Sequence, residues 1–354
     1  MPPRSHQPVQ EPSQHSILLN IARRAHIFLT PDQQPYATVP LTGNTVPLYS
    51  ATFRTWLSQA FEERGFLPSA SQFGTVLRKL DEDAHNGNTP QLTVHLRTAC
   101  HGNHSYRIDL DNLQNEAVEI NGKQWSTTYN ENCRFTRPQS AFSLPKPAET
   151  KAEIHKFLMP MFNITEPNAQ MLVSWLVSAL LPDLKPPILV ITGTASDEGA
   201  AKLRSLIDPV TCPINVLPTT KNQFAQAAIN NKVLVFQLDA SPTNNCKAAL
   251  NRLRKGMSVN LKEASRSRAP IAALIHRPII ISAEEPIKLH TSQLHIEINE
   301  TRDVVHEQIL GSLLDAVVRG IHEMTRRPAP VILEENEVLP SHPGQAPQMP
   351  APYS

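Results

Sequence analysis

The chain has 354 residues, of which 40% are hydrophobic and 18% are charged, a balance typical of folded globular proteins and unlike that of a fully disordered chain. Its formal net charge of +1 excludes a general attraction to nucleic acid or to anionic membranes, so any such binding must come from a local patch. The longest nearly apolar run, residues 171–181, is too short to cross a bilayer, and the first residues lack the apolar core of a signal peptide. We therefore expect a cytoplasmic protein that does not enter membranes.

Proline is concentrated at both ends of the chain. Four of the 32 prolines lie within the first twelve residues, and seven lie between Pro328 and Pro352. Both segments are also rich in Gln, Ser and Ala, a composition that buries too little apolar surface to fold. We predict disordered tails at residues 1–15 and 327–354.

The first folded unit is predicted to be a small α+β domain at residues 16–147. Apolar residues at helical or alternating spacing predict its first elements. These are helices over 17–29, 50–63 and 69–84, and short strands over 36–41 and 46–49. From residue 91 the apolar residues alternate with polar ones, which predicts a strand meander, and Asn121 with Gly122 is a strong hairpin signal. A proline-rich segment at 137–147 is predicted to be the linker that ends this unit.

The second unit, residues 148–326, alternates strands with helices. The predicted strands are 188–192, 214–217, 233–238, 278–282 and 294–298, and the predicted helices are 150–157, 167–181, 198–207, 221–229, 242–255 and 304–324. Strands that are apolar along their whole length are typical of a parallel sheet that is buried on both faces. The predicted fold class is therefore α/β, a mainly parallel P-loop-like sheet with helices on both faces, preceded by the smaller α+β domain.

A glycine-bounded turn follows the first strand of this second unit. Gly193 follows the strand directly, and Gly199 stands six residues later, at the start of the predicted amphipathic helix. In a phosphate-binding loop, backbone N–H groups hold the phosphates, a lysine reaches the β- and γ-phosphates, and a Ser or Thr hydroxyl binds Mg²⁺. Gly193, Thr194 and Gly199 are the candidate nucleotide-binding residues, but two alanines follow Gly199 where the lysine and the hydroxyl are expected. Lys202 is the candidate replacement for the lysine, and its alternative interpretation is a solvated helix residue.

Two later strands extend the pattern. In residues 232–239, Gln237 stands where a nucleotide-hydrolysing enzyme has the acid that orients Mg²⁺ and water. Asp239 lies two residues further on and hence on the same face of the strand, so it is a candidate replacement. Ser282 ends a strand that is similar to a sensor strand near the γ-phosphate. The candidate catalytic residues are therefore Lys202, Asp239 and Ser282.

These segments together resemble the phage and plasmid primase-helicase proteins of the superfamily 3 type, which have a P-loop ATPase core behind an upstream domain. The resemblance rests on residues 190–209, 233–236 and 277–281, which occur in the family's order, and it extends over about residues 16–326. The chain looks like a degenerate member. The loop lysine and the arginine that follows the sensor strand are missing, and glutamine and serine replace the family's acid and sensor asparagine.

The resemblance implies a non-catalytic helicase/ATPase-like protein of a mobile genetic element, associated with nucleic acid or with replication-type assemblies. A homo-oligomer is expected by the resemblance alone. Asp197 and Glu198 at the start of the helix would repel phosphate. No cofactor is expected for a degenerate site. ATP and Mg²⁺ are expected to bind only if the loop is active.

A basic segment after residue 251 is the candidate nucleic-acid contact. Its basic residues are Arg252, Arg254, Lys255, Lys262, Arg266 and Arg268, against the single acid Glu263. Mobile cations at this spacing suffice for sequence-independent phosphate contacts, so DNA is the predicted partner. The alternative interpretation is a solvated basic helix end and loop.

Two other functions stay open. One is an active, DNA-stimulated NTPase with an atypical phosphate loop that uses Lys202 and Asp239. The other is a protein-interaction or regulatory module whose proline-rich tail docks on a partner. A zinc site at Cys100, His101 and His104, with Cys133 further along, is not expected, because a hairpin tip explains the first three residues, and no metal site is predicted.

Overall fold

The computed structural model describes residues 13–40, 42–102, 104–131, 133–261, 271–289 and 291–326. The elements before residue 90 are α1 (Gln14–Ala22), β1 (His26–Leu29), β2 (Pro35–Thr38), β3 (Thr45–Pro47), α2 (Ala51–Glu62) and α3 (Ala70–Asn86). The three strands form one antiparallel sheet, and the three helices pack on it around Leu18, Phe53 and Leu77. Ser50 caps α2 by accepting a hydrogen bond from the Phe53 N–H, as its sequence predicts.

The predicted helix over residues 17–29 is wrong beyond Ala22. Residues 26–29 instead form β1, which pairs with β2 from His26 opposite Thr38 to Leu29 opposite Pro35. The apolar residues of β1 also fit the end of the helical pattern that begins at residue 17. The spacing of apolar residues alone therefore did not distinguish a strand from a continued helix. Pairing with β2 satisfies the backbone groups of β1 and decides its conformation.

The strand meander is confirmed. Its strands are β4 (Val94–Leu96), β5 (Thr98–Cys100), β6 (Tyr106–Asp109), β7 (Glu116–Ile120), β8 (Trp125–Tyr129) and β9 (Arg134–Thr136). Their order in the sheet is β8-β7-β6-β5-β4-β9, and only the β4–β9 pair is parallel. Gly122, at φ +76°, lies in the hairpin between β7 and β8, where the sequence predicts a tight turn.

The remaining elements are α4 (His155–Phe162), α5 (Glu166–Leu180), β10 (Ile188–Thr192), α6 (Ser196–Ser205), β11 (Asn215–Val216), α7 (Lys221–Asn230), β12 (Leu234–Leu238), α8 (Asn244–Lys255), β13 (Met257–Leu261), β14 (Ile271–Ile275), β15 (Ile279–Ala283), β16 (Gln293–Glu297) and α9 (His306–Arg326). They alternate as predicted, except for β13 and β14, and α4 lies at 155–162 instead of 150–157. Five strands form a fully parallel sheet in the order β11-β12-β15-β10-β16, which confirms the α/β fold class.

Helices cover both faces of this parallel sheet. Along β10, Leu189 and Ile191 belong to one apolar cluster, with residues of α5, α6 and α9, while Ile188 and Val190 belong to another, with residues of α7 and α8. Alternation of side chains along a strand therefore supplies both layers of the core. The first cluster also contains Ile108 and Val118 of the meander, so the two units pack against each other. The boundary at residue 147 stays a prediction.

One hairpin was not predicted. β13 follows α8 directly and pairs antiparallel with β14, from Met257 opposite Ile275 to Leu261 opposite Ile271. The connecting residues 262–270 lie outside the described residues. Among the helices that the structure describes, none combines the length and apolar character needed to span a lipid bilayer.

Candidate functional site

The loop between β10 and α6 lies at the carboxyl edge of the parallel sheet, where open α/β sheets bind their ligands. A cleft of about 780 Å³ opens there. Its lining residues come from the loop, from the ends of three other strands and from Asn299. They are Gly193, Thr194, Ala195, Ser196, Asp197, Glu198, Gln237, Leu238, Asp239, Ala283, Glu284, Glu297 and Asn299. The structure thus brings Gly193, Thr194 and Asp239 together.

Gly193 allows a close approach of two chain segments. It has φ +103°, and a Cβ atom at this position would lie 2.5 Å from both Asn299 Oδ1 and the Ile298 carbonyl oxygen. Only glycine fits such a position, since both the backbone angle and the space exclude a side chain. The loop is therefore built against the segment that follows β16.

Backbone N–H groups of the loop are already hydrogen-bonded to protein atoms. Thr194 donates its N–H to Asn299 Oδ1 at 3.1 Å, and Ala195 donates its N–H to the Ile298 carbonyl at 3.1 Å. Ser196 donates its N–H to the Gly193 carbonyl at 3.1 Å. The Thr194 hydroxyl also donates to the Asn299 carbonyl, at 3.1 Å. A phosphate group would have to replace these bonds to reach the amides.

Gly199 lies inside α6 rather than in the loop. It is buried, and a Cβ atom there would lie 2.9 Å from Cδ1 of Ile298. Its small size lets the first turn of α6 pack closely against the end of β16. This packing accounts for the glycine without a ligand.

Lys202 is held away from the cleft by two carboxylates. Its ammonium lies 3.0 Å from Glu198 and 3.0 Å from Asp303, and Lys202 does not line the cleft. Burial acts to lower the pKa of the Lys202 ammonium, but hydrogen bonds to Asp303 and Glu198 outweigh this effect and raise it above its ordinary value. The lysine stays charged, and its charge is neutralised within the protein.

The cleft is acidic. Five carboxylates line it, and of the described residues around it none is Lys or Arg. The carboxylates are Asp197, Glu198, Asp239, Glu284 and Glu297. The nearby Thr301 hydroxyl, and after it the Lys202 ammonium, lower the pKa of Glu198 and keep it ionised. Within the part of the chain that the structure describes, no three such acids, with or without His and Cys, are placed to hold a metal ion.

The strand-end candidates have different positions. Gln237, in β12, and Asp239, directly after it, are both exposed and both line the cleft. Ser282 is fully buried in β15, opposite Gln237 on one side and Ile191 on the other. Its hydroxyl has no hydrogen-bond partner among the described residues, and Ser282 is not part of the cleft wall.

The structure describes three of the six residues of the predicted nucleic-acid contact. Arg252, Arg254 and Lys255 form the last turn of α8, directly before β13. Arg252 and Lys255 are exposed, and Arg254 is half-buried. The other three predicted contacts, Lys262, Arg266 and Arg268, lie outside the described residues.

A buried ionic network near the sheet was missed by the sequence interpretation. Asp208 is 3% exposed and accepts the backbone N–H groups of Lys232 and Val233 at 2.9 and 3.1 Å. Its carboxylate lies 3.4 Å from Arg204, which is fully buried, and 3.7 Å from Arg97 of the meander. Arg204, in the last turn of α6, and Asp208, four residues later and just beyond the helix, were the available signal. Asp208 therefore joins the two units rather than serving a nucleotide.

Comparisons with known proteins add remote similarities. No protein-family model matches the chain, and no curated protein matches it at a significant level. Two solved apo structures of the NrS-1 C-terminal region are similar to this chain. One has 12% sequence identity, covers 86% of this chain and 67% of that chain, and has a TM-score of 0.40. The other has 11% sequence identity, covers 88% of this chain and 69% of that chain, and has a TM-score of 0.42. A JCV helicase bound to a small molecule has 14% identity over 49% of this chain and 60% of that chain, with a TM-score of 0.24. Similarities this remote carry no argument about function, so the superfamily 3 resemblance stays a prediction.

Proposed function

We propose that the chain is a non-catalytic helicase/ATPase-like protein, whose sheet and loop keep the outline of a nucleotide site without its chemistry. The observation that carries this proposal is that the loop is closed, which means that its backbone N–H groups are already hydrogen-bonded within the protein. The amides of Thr194 and Ala195, which would hold phosphates in a working loop, donate instead to Asn299 and Ile298.

Charge supports the same conclusion. A nucleoside triphosphate in the cleft would meet five carboxylates and no cation among the described residues that line it. The two acids in the first turn of α6, Asp197 and Glu198, already occupy the positive end of the helix dipole. Lys202 could reach a phosphate only by leaving Glu198 and Asp303.

Titration calorimetry with Mg-ATP tests the non-catalytic part. We expect no saturable heat and no ATP turnover, with or without DNA. Saturable binding that disappears in Lys202→Met but persists in Lys123→Met, which changes an exposed lysine elsewhere, would overturn the proposal and favour the active NTPase.

The proposal includes nucleic-acid binding through the end of α8. Arg252, Arg254 and Lys255 place three cations within four residues, next to the hairpin of β13 and β14. Cations also stabilise the carboxyl end of a helix, so their position has a structural explanation as well. The two explanations differ in what neutralising the residues does to DNA affinity.

Fluorescence anisotropy with single-stranded and duplex DNA at low salt separates these explanations. Changing all three residues to Gln should weaken binding and reduce the slope of log K against log salt by roughly 2 to 3. The matched control neutralises three exposed basic residues elsewhere, Arg64, Lys123 and Lys151. Absence of DNA binding, or equal binding by both triple variants, would contradict this part.

The remaining parts of the proposal rest on the resemblance alone. They are the association with a mobile genetic element or a replication-type assembly and the formation of a homo-oligomer. Sedimentation velocity tests the last of these, and a monomer at all concentrations would contradict it.

A further inference from the structure

A second cavity, of about 520 Å³, lies between the N-terminal unit and the parallel sheet. It is at the amino edge of the sheet, opposite to the acidic cleft. The N-terminal unit contributes residues around β1, β2, β4 and β5, and the sheet side contributes the residues that precede β12 and β15. Those that matter for its chemistry are Lys232, Arg277, His95, His276, Thr98 and Asp32.

Lys232 is a buried cation on the wall of this cavity. It is 6% exposed, and its backbone N–H donates a hydrogen bond to the carboxylate of Asp208. None of the hydrogen bonds or ion pairs among the described residues involves its ammonium group. Burial, and after it the nearby Arg277, lowers the pKa of Lys232 to about 7, while Asp208 and Asp183 act in the opposite direction. A charged ammonium here lacks the partner that buried charges usually have.

Arg277 stands beside Lys232 with part of its guanidinium committed. Nε donates to the carbonyls of Ala228 and Asn231 at 2.8 and 2.9 Å, and Nη1 donates to the His276 carbonyl at 2.9 Å. Nη2 has no hydrogen bond among the described residues. Burial lowers the pKa of Arg277 only to about 10, so it is cationic at neutral pH.

The remaining polar groups are mostly hydrogen-bond donors. Thr98 is 4% exposed, and its hydroxyl has no hydrogen-bond partner in the described part of the chain. Burial, with the charge of Lys232 among the further causes, lowers the pKa of both His95 and His276, so each imidazole is neutral at pH 7. A hydrogen bond to the Pro182 backbone acts in the opposite direction on His276 and engages its N–H. Asp32 is the one carboxylate among the described residues that line the cavity.

We propose that this cavity binds a dianionic oxyanion, either free phosphate or the phosphoryl group of a small molecule. Lys232 and Arg277 supply the charge from the sheet side, and Thr98 supplies a hydroxyl donor from the meander. The anion gives the buried ammonium and the unpaired hydroxyl the partners that they lack within the protein. Because the donors come from both units, a bound anion also holds the units together.

Proton uptake accompanies this binding. An anion beside Lys232 raises the pKa of its ammonium, so the complex binds a proton that the free protein has lost above about pH 7. Affinity is highest below pH 7 and falls by up to about tenfold per pH unit above it. The titratable groups that interact with Lys232 are Arg277, His95, His276, Asp208 and Asp183, and Asp32 lines the same cavity. Sulfate is the suitable probe for this dependence, because its charge stays constant across the range.

Titration calorimetry of the full chain tests the proposal with sulfate, inorganic phosphate and ribose 5-phosphate. We expect saturable binding that weakens at least about tenfold in Lys232→Met and by about tenfold in Thr98→Val, and that is unchanged in Lys123→Met. Tighter binding of ribose 5-phosphate than of phosphate identifies a small phosphorylated molecule as the source, and the reverse identifies free phosphate.

Two results would overturn the proposal: no saturable binding of any probe by the unmodified protein, or unchanged affinity in Thr98→Val and Lys232→Met. Thr98→Val replaces an unpaired hydroxyl by a methyl group of the same size, so it should fold as the unmodified protein does and tests the site independently of Lys232→Met. The site is at the opposite edge of the sheet from the acidic cleft, so its failure leaves the non-catalytic proposal standing.

Discussion

Replacing Lys232 with Met should stabilise the protein, and by more at low pH than at high pH. The native ammonium has a pKa of about 7, against 10.5 for an exposed lysine. The cost of burying the charge is fully present below about pH 7 and is relieved as pH rises from 7 to 10.5, because the native group loses its proton while the unfolded group keeps it. Since one pH unit corresponds to about 1.4 kcal/mol, raising the pH from about 6 to about 9 should remove roughly 3 kcal/mol of this cost.

Urea denaturation of the unmodified protein and of Lys232→Met, in buffers without sulfate or phosphate, measures this effect. The stability advantage of the variant should shrink by roughly 3 kcal/mol between about pH 6 and about pH 9. Lys123→Met, at an exposed position, should show no such trend. A constant difference between the unmodified protein and Lys232→Met would refute the reasoning, because it would mean that Lys232 keeps its proton throughout.

Three further substitutions test the packing around the loop and the network. Gly193→Ala should destabilise the protein by about 3 kcal/mol or more in thermal unfolding, whereas Gly65→Ala, at φ +81° with no atom near the added Cβ, should cost only about 1 kcal/mol. Asp208→Asn should cost about 3 to 5 kcal/mol, because it leaves buried cations unpaired, while Asp239→Asn at an exposed position should change stability little. Asn299→Ala should cost about 1 kcal/mol and still give no Mg-ATP binding by calorimetry.

Each of these three predictions has an outcome that would contradict it. Equal stability of the two glycine variants would mean that the loop and the segment after β16 are not in close contact. Equal stability of Asp208→Asn and Asp239→Asn would remove the network as a link between the units. Mg-ATP binding by Asn299→Ala would show that the loop is merely blocked.

The α/β core was predictable because its signals are local. The apolar strands at residues 188–192 and 233–238 are each followed by a helix, and buried parallel strands need no alternation to be recognised. The signals that begin helices are also local. The side chains of Thr220 and Thr243 each accept a hydrogen bond from the backbone N–H three residues later in the chain. Such contacts lie within one turn of the chain, so the sequence contains them.

The site was less predictable because its contacts are distant in sequence. Asn299 closes the loop from 105 residues beyond Thr194, and no local pattern indicates that pairing. The cavity between the N-terminal unit and the parallel sheet has a partial signal, since Lys232 and Arg277 each precede an apolar strand, and parallel neighbours begin at the same edge. Thr98 lines the same cavity from the meander, which belongs to another unit, so only the folded chain places it there.

Amide hydrogen exchange at Thr194 and Ala195, with and without Mg-ATP, tests most directly whether the loop is closed. We expect both amides to be protected in the free protein, because they donate to Asn299 and Ile298, and to exchange at the same rates when Mg-ATP is added. Rapid exchange in the free protein that becomes slow with Mg-ATP would contradict the closed loop and identify a working nucleotide site.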